Sequence, residues 1–204
     1  MKIALIGNGS SVLDKELGEY IDSEFDLVYR INRFKTKGFE KYVGKRVDGW
    51  FIADTGIQWL ASPSDDIEGS KRYKDFKYVF VYMPKFKHTE SVLNMIDESD
   101  KSKCEVQLLP TKHEDKIKSL ASFGNLWPTT GLVTIQFLLE KYDKIYLHGF
   151  DGCSKKYEYI HYFDKGDETR TTKRWYEKFT GHNADGEKEI LTKYRKTGKI
   201  IDIE

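Results

Sequence analysis

Seven short strand-like runs, Ile3–Ile6, Leu27–Ile31, Gly49–Ala53, Tyr78–Tyr82, Glu105–Leu109, Lys144–His148 and Lys199–Ile203, are the feature that most narrows the folds open to this chain. Most are continuously apolar rather than alternating, which is the pattern of strands buried on both faces. Between them stand segments with apolar residues three or four apart, and these predict helices over Asp14–Tyr20, Glu90–Asp97, Glu114–Ala121, Gly131–Tyr142, Thr171–Phe179 and Gly186–Lys196. Strand alternating with helix favours right-handed βαβ crossovers. The expected fold is α/β: a doubly wound, mostly parallel sheet flanked by helices, in a single domain over residues 1–204. Ala61–Ser70 and Asp151–Asp167 read as loops, and the second follows a strand, on the edge where such sheets place ligands.

The first strand breaks into Gly7-Asn8-Gly9-Ser10-Ser11, and the second ends in Arg30-Ile31-Asn32. A glycine-rich turn between a buried strand and a helix presents backbone N–H groups to a phosphate, so a nucleotide-type ligand is expected at this crevice. A nicotinamide dinucleotide is disfavoured, because Gly7-x-Gly9 lacks the third glycine and the second strand ends without an acid. Asn8 and Asn32 can each give amide hydrogens to a phosphate or ribose, and each also suits a turn. Pro128-Thr129-Thr130-Gly131 precedes the apolar stretch Leu132–Leu139. A threonine there caps a helix whose N–H groups face the ligand edge, a second anion-site candidate and equally a common structural cap.

Two histidines follow the sixth run. His161 opens His161-Tyr162-Phe163, and His182 stands five residues before Glu187. Imidazole is the side chain best matched to proton transfer near neutral pH, and a cationic one neutralises a departing phosphate. A loop histidine beside aromatics is also commonly packed or solvated, the reading given to His88, His113 and His148. No Asp-x-Asp or metal-spaced His/Cys/carboxylate cluster occurs, so neither a metal nor another cofactor is expected. Phosphate charge would then fall to protein groups, for which Arg170, Lys173, Arg174 and Lys155-Lys156 are candidates unless they form a solvated face. The formal net charge of +1 gives no bulk attraction to nucleic acid. No apolar run approaches the ~20 residues of a membrane span, and Gly7 interrupts the first run too early for a signal peptide. Cys104 and Cys153 are too few and too isolated for a disulfide framework, and a cytoplasmic chain with reduced thiols is expected.

Taken together, these residues resemble a known family. Ala4-Leu-Ile-Gly7-Asn8-Gly9, Leu17-Gly18-x-x-Ile21-Asp22, Asp26-x-Val28-x-Arg30-x-Asn32, Lys37-Gly38-Phe39-Glu40 and Val43-Gly44 resemble the large sialylmotif of the animal-type sialyltransferases. Pro128–Gly131 with Tyr142–Phe150 is similar to the small motif, His161-Tyr162 to the third, and His182-x-x-x-x-Glu187 to the very small one. The resemblance implies a Rossmann-like, GT-A-like variant that inverts and needs no metal. Such an enzyme moves sialic acid, or a related sugar, from a CMP-activated donor to a hydroxyl of a glycan acceptor. By the same resemblance, His182 is the base toward the acceptor and His161 assists the leaving phosphate. Asn8 and Asn32 would hold phosphate and ribose, and Gly9 and Ser10 count as substrate-binding. Thr129, Thr130 and Gly131 would line the donor pocket, with Gly149, Phe150 and Tyr162 also counted as substrate-binding.

The chain departs from that family in three respects. Where secretory members carry a disulfide-forming cysteine pair, it has Ile3 and Tyr142; Phe163 stands where a second tyrosine is common; and the chain is short for the family. Two alternatives are a nucleotide-sugar-binding protein without turnover and an unrelated Rossmann-like methyltransferase, which would want an acid where Asn32 stands.

Overall fold

The structure, a computed structural model, describes residues 1–53, 56, 58–61, 67–82, 104–124, 126–152, 155–174 and 181–204. The seven expected strands form one sheet in the order β5-β4-β3-β2-β1-β6-β7, where β1 is Ile3–Ile6, β2 Leu27–Ile31, β3 Gly49–Ala53, β4 Tyr78–Tyr82, β5 Glu105–Leu109, β6 Ile145–His148 and β7 Ile200–Asp202. Every pairing between them is parallel.

Period-two alternation sorts the strand residues onto two buried faces. Ile3, Leu5, Tyr29, Ile31, Phe51, Phe80 and Leu147 join one apolar cluster. It is covered by α5 (Lys112–Leu120), α6 (Thr130–Lys141) and α7 (Ala184–Lys196) through residues such as Ile117, Val133, Leu138 and Ile190. On the other face, Ala4, Ile6, Val28, Trp50, Ile52 and Val79 meet α1 (Gly18–Glu24), α2 (Glu40–Val43) and α3 (Gln58–Ala61) through Ile21, Val43 and Leu60. Cover on both sides is why the runs are continuous. Ile3 lies in the first cluster and Tyr142 packs against it. Cys104 is buried in the second face's apolar cluster, while Cys153 and His88 fall outside the described residues. No helix among the described residues is long and apolar enough to cross a membrane.

The helix expected over Asp14–Tyr20 divides into a 3-10 turn, Ser10–Asp14, and α1, which begins only at Gly18. Two contacts set the break. The Asp14 carboxylate is taken by Tyr157 and Lys156 from the far end of the chain. At Gly18, α1 presses backbone to backbone on α2, where a Cβ would lie 1.8 Å from the Glu40 carbonyl oxygen. A short helix, α4 (Glu68–Arg72), enters the end of the stretch read as a loop. It carries the Glu68–Arg72 ion pair one turn apart. The helix expected at Glu90–Asp97, and most of that at Thr171–Phe179, lie outside the described residues.

The winding reverses between β1 and β6, whose chains leave for opposite faces. At this switch point Gly7 N–H donates to the His148 carbonyl at 2.7 Å and Gly9 N–H to the Gly149 carbonyl at 3.0 Å. A Cβ on Gly7 would sit 2.5 Å from the Gly149 oxygen. Gly149 has φ +76, and a Cβ there would meet Val12 at 2.6 Å and the Gly7 oxygen at 2.9 Å. Gly149→Ala therefore combines backbone strain with overpacking and is expected to cost about 2–5 kcal/mol in urea unfolding. Gly166→Ala, at φ +89 with nothing within 4 Å, should cost only the conformational part, about 1 kcal/mol. Equal losses in the two variants would show that the close approach is not what Gly149 provides.

Candidate active site

At the end of β1 the Asn8 amide donates to the carbonyls of Ile31 (3.0 Å) and Arg33 (2.8 Å), which ties the glycine turn to the end of β2. Its Oδ1 is buried without a protein partner. Asn32 stands at φ 48, a left-handed position that asparagine tolerates better than most residues. Its Oδ1 accepts from Ala53 N–H at 3.0 Å and its carbonyl from Trp50 Nε1 at 2.7 Å, while its Nδ2 makes no hydrogen bond to the described residues.

The turn's own amides serve the protein more than the sequence suggests. Gly9 N–H goes to Gly149, Ser11 N–H to the Asp151 carboxylate at 3.0 Å, and the Ser10 hydroxyl to the Tyr159 carbonyl at 2.7 Å. A fixed carboxylate thus sits where a phosphate turn would hold its anion. Arg30 also points away from the crevice. It is buried, and its guanidinium donates to the carbonyls of Val43, Gly44 and Arg46, at the negative end of α2. Burial lowers its pKa.

His161 pairs with Gly9 in an antiparallel bridge, which fastens the 151–167 loop over the glycine turn. Its Nδ1 lies 2.7 Å from Oδ2 of the buried Asp164, and its ring stacks on Phe163 at 5.2 Å between centroids. A carboxylate accepts, so Nδ1 carries a proton and Nε2 is turned outward on a side chain that is 31% exposed. Tyr162, by contrast, is buried. Its N–H donates to the Asn8 carbonyl, and its hydroxyl bridges the Lys35 backbone N–H and carbonyl, which makes it a brace beneath the site rather than a surface facing it. Burial pushes its pKa up to about 12.

The third wall is the N-terminus of α6. The Thr129 hydroxyl accepts from Leu132 N–H at 3.2 Å, as a helix cap should. Thr130 is buried, and the N–H groups of Thr130 and Gly131 have no partner among the described residues. A Cβ on Gly131 would lie 3.1 Å from the Phe150 ring and 3.7 Å from Ile31. The same Phe150 ring lies against Gly7, so this helix end adjoins the switch point.

His182 and Glu187 both reach back to the segment before α6. His182 Nδ1 is 2.7 Å from the Trp127 carbonyl, and Trp127 N–H donates to Gly181 at 3.0 Å. A carbonyl only accepts, so the proton is on Nδ1 and the basic lone pair on Nε2. Burial lowers the His182 pKa, which keeps the ring neutral at pH 7. Glu187 accepts from Thr129 N–H at 2.6 Å and from its hydroxyl at 2.8 Å. Burial outweighs those two donors and pushes its carboxyl up to about 7.

Of the proposed cations, Lys156 is held by Asp14, and Arg170, Lys173 and Arg174 are exposed. Arg33 and Lys35 lie over the ring of Phe163, on which His161 also stacks. His148 is buried and held neutral at about 4, and His113 contacts Glu140. Among the described residues no three His, Cys, Asp or Glu side chains are grouped to hold a metal ion. The arrangement offers one neutral imidazole base, one carboxylate-oriented imidazole and one helix N-terminus around the carboxyl ends of β1, β2 and β6.

Residues 2–199 match the family glycosyltransferase family 29 (sialyltransferase). The CMP-N-acetylneuraminate-beta-galactosamide-alpha-2,3-sialyltransferase 1 of Sus scrofa is 26% identical over 207 residues, covering 98% of this chain and 57% of the relative. The CMP-N-acetylneuraminate-beta-1,4-galactoside alpha-2,3-sialyltransferase of Homo sapiens is 25% identical over 217 residues, covering 98% and 56%. This chain therefore spans little more than half the length of these relatives. A crystal structure of a mammalian sialyltransferase superposes with a TM-score of 0.68 at 20% identity, covering 99% of this chain and 68% of that one, which shows the same fold.

The Glu187 carboxyl yields a pH prediction. Its folded pKa is raised from 4.5 to about 7, so its contribution to stability is fully present below the unfolded value and is lost as pH rises through about 7. Relative to Glu187→Gln, the wild-type protein should lose stability between pH 5 and pH 8, by at most about 3 kcal/mol. A difference in thermal stability that stays constant over that range would show that Glu187 is ionised throughout.

Proposed function

This chain belongs to the glycosyltransferase family 29 (sialyltransferase), and we propose that it is an inverting, metal-independent transferase that moves sialic acid or a related sugar from a CMP-linked donor to a glycan hydroxyl. The observation that carries this reading is the tethering of His182. The Nδ1–H group donates to the Trp127 carbonyl and burial keeps the ring neutral, so Nε2 is a base suited to an acceptor hydroxyl.

In this reading His182 Nε2 takes the hydroxyl proton as the acceptor oxygen bonds to the anomeric carbon of the donor. The bond from that carbon to the phosphate oxygen breaks, and its electron pair leaves on CMP. A single displacement of this kind inverts the anomeric centre. His161, oriented by Asp164, meets the charge developing on the phosphate, together with the N–H groups at the start of α6. Asn32 Nδ2 and Asn8 Oδ1 remain for the nucleotide. The relatives' names supply CMP-N-acetylneuraminate and galactose-bearing acceptors as the first substrates to try.

With those substrates the protein should release CMP and form a linked product, and excess EDTA should leave the rate unchanged. His182→Ala should lower turnover by about 10²–10⁴-fold while the Kd for CMP stays within about twofold, because a general base touches the acceptor proton and not the nucleotide. No CMP release from any CMP-sugar would defeat the reading, and a parallel loss of CMP affinity in the variant would show His182 to be misassigned.

A further inference from the structure

We propose that Arg33 is the anion-binding residue of this site, holding a negatively charged group of the donor, its phosphate or its sugar carboxylate, beside His161; the inference rests on the donor reading above. Arg33 directly follows Asn32, and its carbonyl is held by the Asn8 amide at 2.8 Å, which fixes its backbone at the rim of the crevice. Its guanidinium carbon lies 5.7 Å from the centroid of the Phe163 ring, against which the His161 imidazole also stacks. Phe163 thus touches both the guanidinium and the imidazole. Lys35 Nζ, 5.9 Å from the same centroid, adds a second cation.

Arg33 combines the lack of a counter-charge with a buried guanidinium nitrogen, whereas Arg170 and Arg174, also without an ion pair, are exposed. Arg46 pairs with Asp48, Arg72 with Glu68 and Arg195 with Asp202, and Arg30, although its Nη1 is buried without an acceptor, is held by three backbone carbonyls away from the crevice. No carboxylate among the described residues lies within 4 Å of the Arg33 guanidinium, and its Nε is buried without an acceptor. Asp167 is close enough for Arg33 to contribute to lowering its pKa, but its carboxylate accepts from the Thr169 N–H and hydroxyl instead. A buried guanidinium N–H without an acceptor is costly. The planar fork of arginine suits the two oxygens of a carboxylate or phosphate, and an aromatic face holds it in place.

Affinities of cytidine, CMP and CMP-N-acetylneuraminate for the full chain and for Arg33→Met, which keeps an apolar side chain on Phe163 and removes the charge, test the assignment. Binding of CMP-N-acetylneuraminate should weaken by about 10- to 100-fold, the effect of losing a hydrogen bond to a charged group, while cytidine binding should not change. An equal loss for CMP assigns Arg33 to the phosphate; a loss confined to the CMP-sugar assigns it to the sugar carboxylate. Arg33→Lys should recover part of the affinity in either case. Unchanged affinity for both charged ligands, or cytidine lost in parallel with them, would overturn the assignment. A wild-type chain that binds neither CMP nor the CMP-sugar would instead defeat the donor reading on which it rests.

Discussion

The backbone contact between Gly7 and Gly149 is the constraint on which the site depends. Two neighbouring parallel strands leave for opposite faces of the sheet, and their first residues beyond the sheet touch without a side chain between them. That contact lets Gly9 N–H reach the Gly149 carbonyl and brings the Asp151 carboxylate to Ser11 N–H. It also lets the Phe150 ring lie between Gly7 and the start of α6. The loop that carries His161 closes over the same turn through its bridge to Gly9. Thus three of the site's walls are referred to one short stretch of backbone, and the general rule that open α/β sheets bind ligands at a switch point has a specific cause here.

The two histidines differ in what accepts from Nδ1 and in their burial. A carboxylate accepts from His161; a backbone carbonyl accepts from His182, whose burial lowers its pKa. Each tether is in turn bound to a neighbouring wall. The 127–131 segment holds His182 through Trp127 and Glu187 through Thr129, so the cap of α6 and the base proposed above are set by one stretch of chain. The four-residue gap between His182 and Glu187 is therefore not a spacing for mutual contact but for two separate anchorages.

The sheet was legible in the sequence because its strands are covered on both faces and read as unbroken apolar runs. So was α6, whose buried faces extend almost around it. The short helices α2, α3 and α4 were not, since four or five residues are too few to display a helical period. At the site, the inward turn of Arg30 escaped because its acceptors are backbone carbonyls, which leave no trace in side-chain identity. The Trp127 tether of His182 escaped for the same reason. Asp164 did leave a signal, a carboxylate three residues after His161, but without the loop's shape nothing showed that it faces the ring.

The most direct test of the account is a crystal structure of the protein with CMP. The nucleotide should lie across the Gly7–Gly149 contact, with its phosphate within hydrogen-bonding distance of His161 Nε2 and near the N–H groups of Thr130 and Gly131. CMP bound instead in the cleft that Lys37, Glu40, Lys45, Glu68 and Lys71 line on the far side of Lys35 and Thr36 would contradict it, as would a phosphate bound away from His161.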